Sequence, residues 1–258
     1  MDSSRTARSP LDEAALRAVA GPQWTVRLHA EAGSTNALAA AEPAPDLVVV
    51  ADHQQAGRGR LDREWVTPPG AALTFSAVLD PGVDLEWWPA VPLVTGYAVA
   101  RALGGYAQVK WPNDVLVDGQ KVCGILVERV ASPPSSQALA VIGIGINVDQ
   151  SADELPVPTA TSLTLAGHPV DRTALFGDVL ASLRASLRHF AGHPDLFMNQ
   201  YRDRSATLGQ DVRVDLPGDR SVEGRVAGFD DHGRLLLQTE GETLTLSAGD
   251  VVHLRPAG

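Results

Sequence analysis

The sequence predicts a chain in two parts: a strand-rich domain with interspersed helices to about residue 207, then a small β-barrel. Three observations predict this. Short apolar runs, several alternating with polar residues, recur from Trp24 to Val148 between Gly, Pro and Asp turns. One strong helical repeat follows, with Leu175, Val179, Leu183 and Leu187 four residues apart. From Leu208-Gly209 onward the chain breaks into five short apolar segments separated by turns, the pattern of a closed SH3-like barrel.

Taken in order, residues 1–10 are polar and expected to form a disordered tail. A short helix over 12–20 ends at Gly21-Pro22, and Trp24, Val26 and Leu28 alternate as a strand. Ser34-Thr35-Asn36 precede an alanine-rich helix. Ser34 or Thr35 suits its N-cap, and the same three small polar side chains equally suit hydrogen bonding to a ligand. Leu47-Val48-Val49-Val50 reads as a buried strand. It leads into a loop of alternating glycine and arginine: Gly57, Arg58, Gly59, Arg60. Glycine lets backbone approach a ligand closely, and arginine offers a planar fork of donors for phosphate or carboxylate. The competing readings are a solvated basic turn or a local nucleic-acid contact.

Leu73, Phe75 and Ala77 alternate in the next strand, which stops at Asp80-Pro81-Gly82. A helix over 89–103 carries Pro92 in its first turn, where proline is tolerated, and stops at Gly104-Gly105. A strand over 107–111 runs into Pro112-Asn113-Asp114, and a hairpin turns at Asp118-Gly119 between 115–117 and 122–127. A proline- and serine-rich loop at 132–136 precedes a strand over 139–148. Gly143 and Gly145 share one face of that strand, which marks close approach by a ligand or by another element. Residues 149–168 read as loop, with Thr161-Ser162-Leu163 starting a short helix. The strong helix and a second one over 195–204 follow. The barrel strands are expected at 212–216, 222–229, 235–239, 243–246 and 251–254.

Composition narrows the function. The 258 residues are 44% hydrophobic and 20% charged, a globular balance, and the net charge of -10 argues against general affinity for nucleic acid. The single cysteine, Cys123, rules out an intrachain disulfide and a cysteine cluster for metal, and its expected role is a small buried hydrophobe. The N-terminus lacks an apolar signal, and no apolar run approaches the ~18 residues of a membrane span. The expected location is the cytoplasm. The spacing GxxxxGK[ST] of a P-loop is absent, so any ATP is held another way.

Several stretches, in shared order and spacing, resemble biotin protein ligases. They are Ser34-Thr35-Asn36, the run QQAGRGR from Gln54 to Arg60, Arg63 and Trp65, and KWPND from Lys110 to Asp114. Lys121 with Gly124-Ile125-Leu126-Val127-Glu128, and GIGINV from Gly143 to Val148, complete the match. The resemblance implies an α+β catalytic domain over 23–207, like the class II aminoacyl-tRNA synthetase core, with a mixed sheet and helices on one side. Residues 1–22 precede it as tail and short helix, and 208–258 form the SH3-like β-barrel. It implies the monofunctional form, without the N-terminal DNA-binding domain of some members, since the family core begins near residue 24. The chain departs from the family at Leu61-Asp62, where another Arg-Gly often stands, and at Cys123, where a small residue is usual.

The implied reaction joins biotin to ATP as biotinyl-5'-AMP and passes the acyl group to one lysine of a biotin carboxyl carrier protein of an acyl-CoA carboxylase. Neither DNA nor membrane is an expected partner. Positioning and charge stabilisation carry such chemistry. By family pattern, Lys121, Arg58 and Arg60 are the catalytic set, with Lys121 bridging the biotin carboxylate and the α-phosphate. Biotin would meet Ser34, Thr35, Asn36, Gln54, Arg58, Gly59, Arg60 and Lys121, with Gly124 and Gly145 as a smooth wall for its ring and chain. The adenylate would meet Arg58, Arg60, Arg63, Trp65, Asn113, Lys121 and Asn147. Asp114 would orient the incoming amine or help to hold Mg²⁺, unless it only stabilises its turn. The glycine-arginine loop is expected to be mobile when empty and to close over the adenylate. Three other readings compete: a lipoate or octanoate ligase of the same fold, a biotin-responsive repressor, and an inactive biotin-binding protein.

Overall fold

The structure, a computed structural model, describes residues 8–60, 63–131 and 138–254. The chain forms two compact units, Met1–Asp80 with Gln120–Leu180 and Pro81–Gly119 with Ala181–Gly258. These cuts differ from the expected division at residue 207.

In the first unit, helix α1 (Glu13–Ala20) is opened by the Asp12 carboxylate, which accepts from Ala15 N at 2.8 Å, and is closed at Gly21 with φ 81°. Strand β1 (Thr25–Ala32) runs parallel to β2 (Leu47–Gln54), with helix α2 (Thr35–Ala41) between them in sequence. Two short strands, β3 (Gly57–Arg58) and β4 (Glu64–Trp65), pair with each other. Strand β5 (Ala72–Leu79) pairs antiparallel with β2. Later in the chain come β8 (Gln120–Ala131) and β9 (Ala138–Asn147), and the unit's strands lie in the order β1-β2-β5-β9-β8. The sheet is mixed, as expected.

Helices on one side of this sheet were expected, and all eight residues of β5 are instead buried. Both faces are covered. On one, Ala39 of α2 packs with Leu47, Val49, Val78, Leu139 and Val141. On the other, Phe75 meets Phe176 edge-on with ring centroids 5.2 Å apart. The half-buried alternation suggested by Leu73, Phe75 and Ala77 is therefore a central strand.

The tail also differs from its expectation. Arg8 donates to Asp149 O and to Glu154 Oε2, each at 2.7 Å, and Arg172 donates to Ser9 O at 2.6 Å. Residues 1–7, Leu61-Asp62 and the loop at 132–136 lie outside the described residues. The helix expected at Thr161 is a turn: Ser162 Oγ accepts from Leu165 N at 3.2 Å and Ala166 N bonds Ser162 O at 3.0 Å, without helical continuation.

In the second unit the expected helix over 89–103 is divided. A 3₁₀ segment, Leu85–Ala90, contains Pro89, and helix α3 (Val91–Leu103) starts with Pro92 in its first turn. Strands β6 (Ala107–Lys110) and β7 (Asp114–Val117) flank a cis Trp111–Pro112 bond, and Asp118 and Gly119 turn the chain at φ 50° and 75°. Helix α4 (Arg172–Gly192), whose residues to Leu180 belong to the first unit, and helix α5 (Pro194–Asp203) lead to strands β10 (Asp211–Leu216), β11 (Arg220–Phe229), β12 (Leu235–Gln238), β13 (Thr243–Leu246) and β14 (Asp250–His253). Each of these strands falls where the turns placed it. Their ladder runs β13-β12-β11-β10-β14, the small antiparallel C-terminal unit that was expected, and among the described residues its outer strands β13 and β14 are not paired with each other. The indole of Trp111 is buried and donates from Nε1 to Gly233 O at 3.0 Å, while Thr207 Oγ1 accepts from its backbone N–H at 3.2 Å. Trp111 is thus a core residue within the KWPND stretch. Among the described residues no helix is long and apolar enough to cross a membrane.

Candidate active site

The register of three strands builds the floor of the site. Thr74, Gly145 and Gly124 stand opposite one another across β5, β9 and β8, and Ser76, Gly143 and Leu126 form the next row. Successive side chains on a strand alternate faces, so these two rows share one face. Where Gly143 lacks a Cβ, the Asn36 side chain comes down onto the sheet. An added methyl there would collide with Asn36 Oδ1.

Asn36 is brought there by the start of α2. Ser34 is the N-cap and accepts from Ala37 N at 3.5 Å, and residues 34–36 are all buried. Of the residues Ser34-Thr35-Asn36, the first caps the helix as one reading expected, and the other two enter a buried polar chain. Gln54 Oε1 accepts from Thr35 N at 2.8 Å and lies 3.1 Å from Thr35 Oγ1. Ser76 Oγ lies 2.8 Å from Thr35 Oγ1 and 2.6 Å from Asn36 Oδ1. Its one proton goes to the amide oxygen, which can only accept. Asn36 Nδ2 donates to Glu128 Oε2 at 2.7 Å and to Leu126 O at 3.3 Å. The Arg58 guanidinium donates to both oxygens of Glu128, at 3.1 and 3.2 Å.

The glycine-arginine stretch is paired at its flanks. Gly57 stands opposite Trp65 and Arg58 opposite Glu64, and Gly59 N donates to Arg63 O at 2.6 Å. Gly57 is required there, since a Cβ would strike the carbonyl oxygen of Trp65. The Trp65 indole rests on the glycine floor, where a Cβ on Gly145 would lie 2.5 Å from its ring and one on Gly124 2.7 Å. Its Nε1–H is buried with no hydrogen-bond partner among the described residues. The Lys121 ammonium lies 5.7 Å from the centre of the same ring. Lys121 is held through its backbone: its N–H donates to Thr159 O and its carbonyl accepts from Thr161 N, each at 2.8 Å.

The first unit therefore brings together Thr35, Asn36, Gln54, Arg58, Trp65, Lys121, Gly124 and Gly145. Arg60 and Arg63 belong to the same hairpin, where Arg60 O accepts from Arg63 N at 3.2 Å. Asn147 is buried and both ends of its amide are engaged, Nδ2 donating to Thr161 O at 3.0 Å and Oδ1 accepting from Gln150 at 2.9 Å. Asn113 and Asp114 belong to the other unit, at the bend between β6 and β7. There, burial and then the Asp114 charge push the Tyr201 phenol well above its ordinary pKa. Cys123 is buried and outside any disulfide. Among the described residues no three His, Cys, Asp or Glu side chains cluster as a metal site.

Two members of the polar chain escaped the sequence reading. Ser76 sits in the apolar run LTFSAVL, where a lone serine was the available signal. Glu128 closes the GILVE stretch but had no assigned task.

The first unit thus joins a sheet face of paired polar groups and bare glycines to a lysine and an arginine hairpin, and comparison with known proteins gives the family to which this arrangement belongs. The model of the biotin/lipoate A/B protein ligase family matches residues 31–147, and that of the biotin protein ligase C-terminal domain matches 207–254. A biotin–(acetyl-CoA-carboxylase) ligase of Mycobacterium tuberculosis is 40% identical over 268 aligned residues, covering 96% of this chain and 97% of that protein. One from Paracoccus denitrificans is 34% identical, covering 86% and 98%. A solved biotin protein ligase from Aquifex aeolicus, in complex with biotin and ATP, superposes with a TM-score of 0.73 at 29% identity, covering 89% of this chain and 98% of that one. The chain belongs to the biotin protein ligase family.

Proposed function

We propose that this protein activates biotin with ATP and transfers it to a lysine of a carboxylase carrier domain. The observation that carries this reading is the full-length likeness to a biotin–(acetyl-CoA-carboxylase) ligase, 40% identical over nearly the whole of both chains. The local chemistry agrees. A biotin carboxylate oxygen attacks the α-phosphorus of ATP, and the bond to pyrophosphate breaks. A carrier lysine amine then attacks the acyl carbon, loses a proton, and displaces AMP. Both steps gather negative charge, so cations at the acyl–phosphate junction stabilise them. Lys121 takes that place, with Arg58, Arg60 and Arg63 gathering phosphate and carboxylate.

At the other end of biotin the ureido ring needs partners when buried. Gln54 accepts from Thr35 at Oε1, which leaves Nε2 as the end that donates to a ligand carbonyl. The apolar ring of biotin fits over Gly124 and Gly145. Trp65 rests on those same glycines, so the indole leaves the wall as biotin enters and turns to the adenine side. A hairpin with two ladder pairs permits that movement. Asn147, through its hold on Thr161, steadies the segment that clamps Lys121, beyond any adenylate contact of its own. Asn113 serves the adenylate. Mg²⁺ arrives with the nucleotide phosphates, with at most one carboxylate, Asp114, from the chain. Residues 23–207 act as the ligase domain and 208–258 as the accessory domain, in the cytoplasm and without DNA.

The test is pyrophosphate exchange with Mg²⁺, ATP and biotin, lipoate or octanoate in turn. Exchange is expected with biotin. Exchange with lipoate or octanoate and none with biotin overturns the substrate assignment.

A further inference from the structure

Asn36 presents an amide whose two ends differ only in orientation, so its value to a ligand depends on which way it is held. Both ends are fixed within the protein. Its oxygen accepts from Ser76, which is fully buried on β5, and its nitrogen donates to Glu128 on β8 and to Leu126 O. Ser76 Oγ also accepts from the Thr35 hydroxyl, while the Thr35 backbone N–H holds Gln54. Glu128 in turn holds Arg58, the first arginine of the hairpin. Gln54, Thr35, Ser76, Asn36, Glu128 and Arg58 thus form one continuous chain from the sheet interior to the hairpin. A buried polar chain of this kind is costly unless every member is satisfied, and when satisfied it fixes one arrangement.

We propose that Ser76 and Glu128 are positioning residues for biotin. Ser76 orients Thr35 and Asn36 from below, and Glu128 ties Asn36 to Arg58, so the groups around one end of biotin are preset and the first arginine of the hairpin is tethered to them. This rests on the ligase reading above. Neither residue needs to touch the ligand.

The experiment measures the biotin Kd by calorimetry, together with kcat and the KM for ATP in pyrophosphate exchange, for the wild type, Ser76→Ala, Glu128→Gln and Glu128→Ala. Ser76→Ala leaves a buried amide oxygen without its donor, and biotin Kd is expected to rise about tenfold with KM for ATP within about twofold. Glu128→Gln keeps an acceptor for Asn36 and loses the charge facing Arg58. It should raise biotin Kd by about threefold, against about tenfold for Glu128→Ala. Biotin Kd within about twofold of wild type in both alanine variants, with the loss confined to Tm, overturns the proposal. Glu128 is partly exposed at 31%, so its two variants decide the matter even if Ser76→Ala fails to fold. A wild type without biotin-dependent exchange removes the ligase reading itself. An active wild type with unmoved variants removes this inference alone.

Discussion

Asn36 is 4% exposed and both ends of its amide have partners, while the Arg58 side chain is 51% exposed and rides on a ladder of two residue pairs. The two lie at opposite ends of one hydrogen-bonded chain. The Asn36 end is fixed by a packed sheet, where moving any group breaks several bonds. The hairpin end is fixed by few contacts, most of them open to water. On the proposed function, the difference would let one site recognise a ureido ring by preset geometry and still admit and release a large adenylate, with rigidity and mobility at separate ends of the ligand.

Five changes would break or sharpen that contrast, from the largest effect to the smallest. Lys121→Ala should lower biotin-dependent pyrophosphate exchange by about 10²-fold or more while circular dichroism stays unchanged. The backbone bonds of Lys121 to Thr159 and Thr161 do not need its side chain. Exchange at the full rate would remove the junction role from this lysine. Gly143→Ala drives a methyl into an Asn36 amide that cannot yield without losing its partners, with an expected cost of about 1–3 kcal/mol in urea unfolding. Gly145→Ala meets the Trp65 ring, which belongs to the hairpin, and the cost there should be under about 1 kcal/mol. Equal costs, or the reverse order, would mean that the hairpin is as firmly seated as the sheet.

Arg58→Ala should change unfolding free energy by less than about 1 kcal/mol, because its pair with Glu128 is largely exposed to solvent. The smallest effect lies in the second unit. Burial and then the charge of Lys110 hold His253 below the ordinary histidine pKa. The unfolded chain therefore binds the proton more readily, and this histidine's contribution to stability falls as pH drops from about 6.5 toward the lower folded value. His253→Gln should flatten the slope of Tm against pH in that window. It should leave biotin Kd unmoved, since the polar chain lies in the other unit.

Much of this was legible beforehand because local chemistry dictates it. The strands of 211–253 followed from turns at Pro217-Gly218, Asp231-His232-Gly233 and Glu240-Gly241, which punctuate the chain whatever surrounds them. Ser34 as a cap and the bend at Asp118-Gly119 belong to the same kind. What escaped depends on register between distant strands. Ser76 looked like an incidental serine until β5 and β9 set it opposite Gly143, and Glu128 looked like a strand end until Asn36 and Arg58 converged on it. The same-face glycines were recognised, yet periodicity could not tell that Gly143 admits Asn36 and Gly145 admits Trp65. Strand spacing likewise does not say whether the two outer strands of the small C-terminal sheet pair with each other.

The half-buried Trp65 indole, resting on the glycine floor with its N–H unsatisfied among the described residues and a lysine ammonium beside its ring, also makes the protein its own optical gauge. Of the five tryptophans, this one sits on the hairpin, so its emission should shift as the ring exchanges that floor for the adenine side. Fluorescence recorded during stopped-flow mixing with biotin, then with ATP, would time hairpin movement separately from chemistry, with Trp65→Phe as the silent reference. Filling of the pocket can then be followed with no label attached.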